Sequence, residues 1–305
     1  MKRIILASLL ICLLCFTACS SDYKHVLNAI QSFSVEDTLS NVDSAPCDVV
    51  ILLGQSNATG VAANAYLEQK APDEYAALIN GSDNVLINYI TENGGNSSEN
   101  KFVKVVPGQG ANKDYFGPEL GIADALSKRA TKQVFILKYA WGGSILDTQW
   151  FEGNCKRGEL YDAAMAFVTA SLDYLKSKGY KINISAVCWM QGESDSFDDT
   201  MTKRYHKNTT KFVEYLRKDL SKYSKNKFIF IDAGIAEIDL WKNHKDVNAA
   251  KKQCSEELDN YVYFSTQEMG LTTNLEPEGG PDIAHYDSLS ALALGRKFAE
   301  YIVLS

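Results

Sequence analysis

Six nearly continuous apolar runs recur along the chain: Asp48–Leu53, Asn84–Ile90, Gln133–Tyr139, Ile184–Trp189, Lys227–Asp232 and Tyr261–Phe264. None alternates apolar with polar residues, so each suits a strand buried on both faces, as in a parallel sheet. Between them the apolar positions take helical spacing over Glu119–Arg129, Tyr161–Ser177, Thr202–Tyr223, Val247–Leu258 and Ser288–Val303. Strands alternating with helices predict an α/β fold with helices on both sheet faces. There is no repeat and no internal linker, which gives one domain over residues 47–305. Thr91–Asp114 is rich in Gly, Asn and Ser and reads as a surface loop.

The N-terminus has a different pattern. Lys2 and Arg3 precede an apolar stretch, Ile4–Ala18, that is too short to span a bilayer well. Thr17-Ala18-Cys19 closes it and resembles a bacterial lipoprotein signal. Residues 1–18 are therefore expected to be a signal peptide and Cys19 the lipidated mature N-terminus. Residues 19–46, polar and irregular apart from a helical candidate near Tyr23–Phe33, are expected to be a tether. The expected location is the cell envelope, on the periplasmic side or the cell surface, touching membrane only through the lipid. Plain secretion after cleavage at Ala18 is the alternative.

Composition narrows the classes further. The 305 residues carry 31 Lys+Arg against 38 Asp+Glu, a formal charge of −7, with 46% hydrophobic and 23% charged residues. That balance excludes disorder, collagen and coiled coil. The absence of any basic block argues against a nucleic-acid partner. Of seven cysteines, Cys12, Cys15 and Cys19 lie in the signal. Cys47, Cys155, Cys188 and Cys254 remain, with no C-x-x-C spacing, and their pairing stays open.

In open α/β sheets ligands bind beyond the carboxyl ends of the strands. After the first run comes Gly54-Gln55-Ser56-Asn57. A serine on a tight turn there suits a nucleophile whose own amide serves an oxyanion, although a helix cap would read the same way. After the third run Gly142-Gly143 can bring a second amide close to a ligand. After the fourth, Gln191-Gly192-Glu193-Ser194-Asp195 crowds amide and acid groups onto one strand end. Of four histidines, His285 stands out because Asp282 lies three residues before it, within reach of its ring. His206 and His244 sit in charged, solvated surroundings.

Taken together, these segments resemble the SGNH/GDSL hydrolase superfamily, in its sialate O-acetylesterase and carbohydrate acetylesterase branch. Gly54 to Asn57, Trp189 to Asp195 and Asp282 to His285 carry the resemblance, supported by Phe116 to Gly121 and Ala140 to Ser144. The resemblance implies a three-layer α/β/α fold with a mostly parallel, flavodoxin-like sheet. It implies a serine acetylesterase with Ser56 as nucleophile, His285 as base and Asp282 as its orienting acid. The oxyanion would rest on Ser56, Gly143 (or Gly142) and Gln191. Gln55, Asn57 and Glu193 are further site candidates, Glu193 orienting Gln191 or a substrate hydroxyl, or acting as a second acid near His285. No metal or organic cofactor is required. The implied substrate is an acetylated carbohydrate, either sialic acid or plant polysaccharide such as xylan, with Trp141, Trp150 and Trp241 as possible sugar platforms. A broader lipase or thioesterase, or a non-catalytic glycan-binding lipoprotein, are the competing readings.

Overall fold

The computed structural model describes residues 33–91, 95–151, 156–224 and 227–305. The signal segment, Cys19, nearly all of the Tyr23–Phe33 candidate and Cys155 lie outside them. The six apolar runs are strands: β1 (Pro46–Gly54), β2 (Val85–Thr91), β3 (Gln133–Ala140), β4 (Lys181–Met190), β5 (Ile229–Ala233) and β6 (Tyr261–Phe264). Their lateral order is β6-β5-β4-β1-β3-β2. Every neighbouring pair is parallel. The central strand β1 is buried from Cys47 to Gly54, which is why its run lacks alternation.

The main helices are α1 (Ser56–Thr59), α2 (Pro118–Ser127), α3 (Glu159–Ser177), α4 (Asp199–Leu220), α5 (His244–Glu257) and α6 (Ser288–Tyr301). α2 and α6 pack together on one side of the sheet. α3 and α4 cover the other, where Phe212 meets Trp189 at 4.5 Å between ring centroids and Tyr161 at 5.8 Å. α4 is fixed at its start by Asp198, whose carboxylate accepts from the Thr200 and Met201 amides. Three short pieces were not legible as periodic patterns: helices Asn64–Lys70 and Pro72–Leu78 and a π-helical turn at Leu146–Trp150.

Several expectations change. Residues 33–45 are not a free tether. Phe33 packs edge-on to Phe167 of α3, the Thr38 and Leu39 amides donate to the Tyr174 hydroxyl, and Val42 N–H donates to Lys178 O. The domain thus begins before β1, because apolar residues spaced through a polar stretch find a groove that only the folded helix supplies. Thr91–Asp114 is not wholly a surface loop either. Asn96–Ser97 and Val103–Lys104 pair antiparallel with β2, and Phe102 and Val105 are buried. Trp141, Trp150 and Trp241 are all buried, so none presents a platform to a sugar. Cys47, Cys188 and Cys254 are buried free thiols. Burial, with Asp48 nearby, pushes the Cys47 thiol up to about 12, and burial raises Cys188 and Cys254 too.

Candidate active site

The strand order sets β1 between β3 and β4, so the turns after these three strands open side by side. Gly54 ends β1 at φ +150°, and a Cβ there would be driven into the Met190 carbonyl oxygen. The chain can then turn at once: the Gln55 amide donates to Met190 O, and Ser56 opens α1. At the first position of a helix the serine amide has no intrahelical acceptor. It is unpartnered among the described residues, and Ser56 is half-buried.

The neighbours of Ser56 bind the site together. Gln55 is buried, its Oε1 accepting from the Gly192 and Ser194 amides at 3.2 and 3.3 Å. It is thus a brace between β1 and the turn after β4 and offers no group to a substrate. Asn57 reaches further. Its Oδ1 accepts from the Tyr286 amide at 3.1 Å, and its Nδ2 donates to Glu193 Oε1 at 2.7 Å and to Ala284 O at 3.4 Å. The residues on either side of His285 are therefore fastened to the residue after Ser56.

His285 itself is partly exposed, with 23% of its side chain accessible. Its Nδ1 lies 2.7 Å from Asp282 Oδ2. That contact leaves Nε2 for proton exchange with a substrate-bound serine. Asp282 is shaped by opposing effects. Burial pushes its carboxyl up, but the His285 hydrogen bond and charge, with the Ala284 amide, outweigh it and hold the group below its ordinary value. Ser56 Oγ and His285 form no hydrogen bond in this structure; such contacts commonly tighten only with substrate bound.

The turn after β3 supplies a second donor. Gly143 adopts φ +67°, is exposed, and has open space where a Cβ would stand. Its amide has no partner among the described residues. Gln191, expected as a third oxyanion donor, is not available for that role. It is fully buried, and its Nε2 donates to Ser144 O at 3.0 Å and to Asp195 Oδ2 at 2.6 Å. Its Oε1 accepts from the Tyr205 hydroxyl at 2.9 Å. Both amide hydrogens are committed to holding neighbouring loops.

Glu193 does not orient Gln191 or reach solvent. It is fully buried; its Oε1 accepts from Asn57 Nδ2, and its Oε2 has no partner among the described residues. Desolvation raises its carboxyl above the ordinary range, against the pull of Asn57, its own backbone and the Lys251 and His285 charges.

Two further buried pairs escaped sequence reading. Lys138 on β3 donates to Glu119 Oε2 and to Gln109 O, both at 2.7 Å, tying the start of α2 to the loop beside α1. Lys251 on α5 meets Asp232 of β5 at 2.5 Å. A lysine inside an apolar strand was the available signal for the first; nothing local marks the second.

Known proteins fit this arrangement. The profile of a family described as carbohydrate esterase, sialic acid-specific acetylesterase, matches residues 46–303. No curated protein matches the chain. Among solved structures, a protein of Arabidopsis thaliana is 22% identical, with a TM-score of 0.62 over 83% of this chain and 97% of its own. NanS is 16% identical, with a TM-score of 0.62 over 85% of this chain and 97% of its own. A carbohydrate acetylesterase from Xanthomonas citri is 15% identical, with a TM-score of 0.55 over 83% of this chain and 55% of its own. At these identities the likeness is one of fold.

Proposed function

Since the chain belongs to the sialic acid-specific acetylesterase family of carbohydrate esterases, and is an esterase of that kind, we propose that it removes O-acetyl groups from glycans through an acetyl-Ser56 intermediate. Ser56 Oγ attacks the acetyl carbonyl while His285 Nε2 takes its proton. The tetrahedral oxyanion rests on the Ser56 and Gly143 amides. Collapse expels the sugar alkoxide, which receives the proton from His285. Water, deprotonated by His285, then attacks the acetyl carbon; the Oγ–acyl bond breaks, the proton returns to Ser56, and acetate leaves. Asp282 holds the ring with Nε2 outward and stabilises its cation.

The observation that carries this reading is the 2.7 Å Asp282–His285 pair, fastened over the nucleophile's turn by Asn57. The test is acetate release from acetylated sialic acid and acetylxylan by wild type and by Ser56→Ala. Loss of several orders of magnitude in kcat is expected, with a phosphonate label found on Ser56 of the wild type. A folded Ser56→Ala protein with near wild-type turnover would end the proposal.

We also infer export and lipid anchoring from Lys2-Arg3, the apolar run and Thr17-Ala18-Cys19. Cys19→Ser should lose radiolabelled palmitate and leave the membrane fraction. A soluble, unmodified wild type would refute it.

A further inference from the structure

The acidic residue that ends the turn after β4 has a role that the acyl-enzyme steps do not use. Asp195 is fully buried, and among the described residues its carboxylate accepts from neutral N–H groups and no cationic side chain. Three such donors meet it. Leu146 N donates to Oδ2 at 2.8 Å, Asp147 N to Oδ1 at 3.1 Å, and Gln191 Nε2 to Oδ2 at 2.6 Å. Two of those donors belong to the loop that begins at Gly142. The same loop is gripped elsewhere: Gln191 Nε2 holds Ser144 O, Trp150 Nε1 donates to Ser144 Oγ at 3.1 Å, and Asn208 and Arg204 hold the Asp147 carboxylate at 2.8 and 2.5 Å. The Ser144 amide donates to Trp141 O and closes the turn that carries Gly142 and Gly143. Everything behind that turn is tied down, while Gly143 faces outward.

Burying an acid without a cation is costly, and here it pushes the Asp195 carboxyl up to about 6. An apolar residue at this place would leave the Leu146 and Asp147 amides unpaired inside the protein. The acid is therefore suited to fixing backbone position, since one carboxylate can set the register of two successive amides.

We propose that Asp195, with Gln191, is the positioning residue of the oxyanion hole, setting the direction of the Gly143 amide relative to Ser56 Oγ through the Leu146 and Asp147 amides. This rests on the acyl-enzyme reading above. Asp195→Asn keeps the shape but turns an N–H₂ group toward at least one of the three donors, so the loop must shift. A displaced oxyanion donor harms the transition state and spares ground-state binding. Removing such a donor outright costs about 10²–10³ in kcat, so a shifted one is expected to cost about tenfold to a hundredfold.

The test measures kcat and KM for p-nitrophenyl acetate, and Ki for methylboronic acid, in wild type and Asp195→Asn. In the boronate adduct Ser56 Oγ bonds to boron as its O–H proton passes to His285, and the negative tetrahedral centre occupies the oxyanion site with every bond already on boron kept. The expected result is a fall in kcat matched by an equal-fold rise in Ki, with KM within the same order. A merely structural Asp195 would instead lower the number of active sites, counted by boronate binding stoichiometry, and leave Ki unchanged. That outcome overturns the proposal. Should Asp195→Asn not fold, Gln191→Met removes the shared amide donors and is read the same way. A wild type that neither turns over acetyl esters nor binds the boronate sinks both readings, whereas an active wild type with an unchanged Ki in the variant sinks this one alone.

Discussion

Replacing Asn57 by Ala would test the bracket that joins the nucleophile's turn to the histidine loop. The side chain makes three hydrogen bonds, to Glu193 Oε1, Ala284 O and the Tyr286 amide, and 6% of the residue is exposed. Water will not replace these partners at such burial. Losing a hydrogen bond to a charged group removes about 1.5–3 kcal/mol, and a buried amide left unpaired costs about 1–3 kcal/mol. The Glu193 carboxylate would lose its Asn57 donor, and its other oxygen has no partner among the described residues to take over. Relaxation recovers part of this, so the expected loss is about 3 kcal/mol. For a domain of this size that lowers Tm by roughly 6–12 °C. Catalysis should suffer separately, since Ala284 and Tyr286 flank His285. A shift of the ring by about 1 Å can cost about 10²-fold in rate. Urea melts followed by tryptophan fluorescence give the first number, and kcat and KM for p-nitrophenyl acetate at a temperature where the variant is folded give the second. A stability loss under about 0.5 kcal/mol, within the ordinary range for surface changes, together with wild-type kcat would show that the bracket holds nothing.

Glu193→Gln should keep the bond from Asn57 while removing a charge that burial disfavours, so stability is expected to hold or rise and kcat to stay within the wild-type order of magnitude; a collapse of kcat in the folded variant would mean that the charge itself serves His285. The pH dependence of stability should also carry the mark of Asp195. Its folded value of about 6 lies above the unfolded one, so between the two the folded state binds a proton that the unfolded chain does not. Stability from this group therefore falls as pH rises and should be greater at pH 5 than at pH 7 by on the order of 1 kcal/mol. Denaturant titrations at the two pH values should find that increment in the wild type and not in Asp195→Asn; equal slopes in both proteins would refute the assignment.

The sequence by itself determined the layers of this protein. Runs such as Asp48–Leu53 are short and apolar on both faces, which suits a strand inside a parallel sheet, so the six parallel strands and five of the six main helices could be read locally. It also marked Ser56, Gly143, Asp282 and His285, because strand-end turns and a three-residue Asp–His spacing are local features. What each polar side chain of the turn after β4 touches was decided only in three dimensions. Gln191 looked like an oxyanion donor, yet it lies inward with its amide spent on Ser144 and Asp195. Glu193 looked like a partner of Gln191 or of substrate, yet it meets Asn57, which is 136 residues away. Hydrogen-bond partners are chosen by which turns lie side by side, and that follows from the order β4-β1-β3, which no local pattern encodes. The same reason hid the packing of residues 33–45, whose groove exists only once α3 has docked on the sheet.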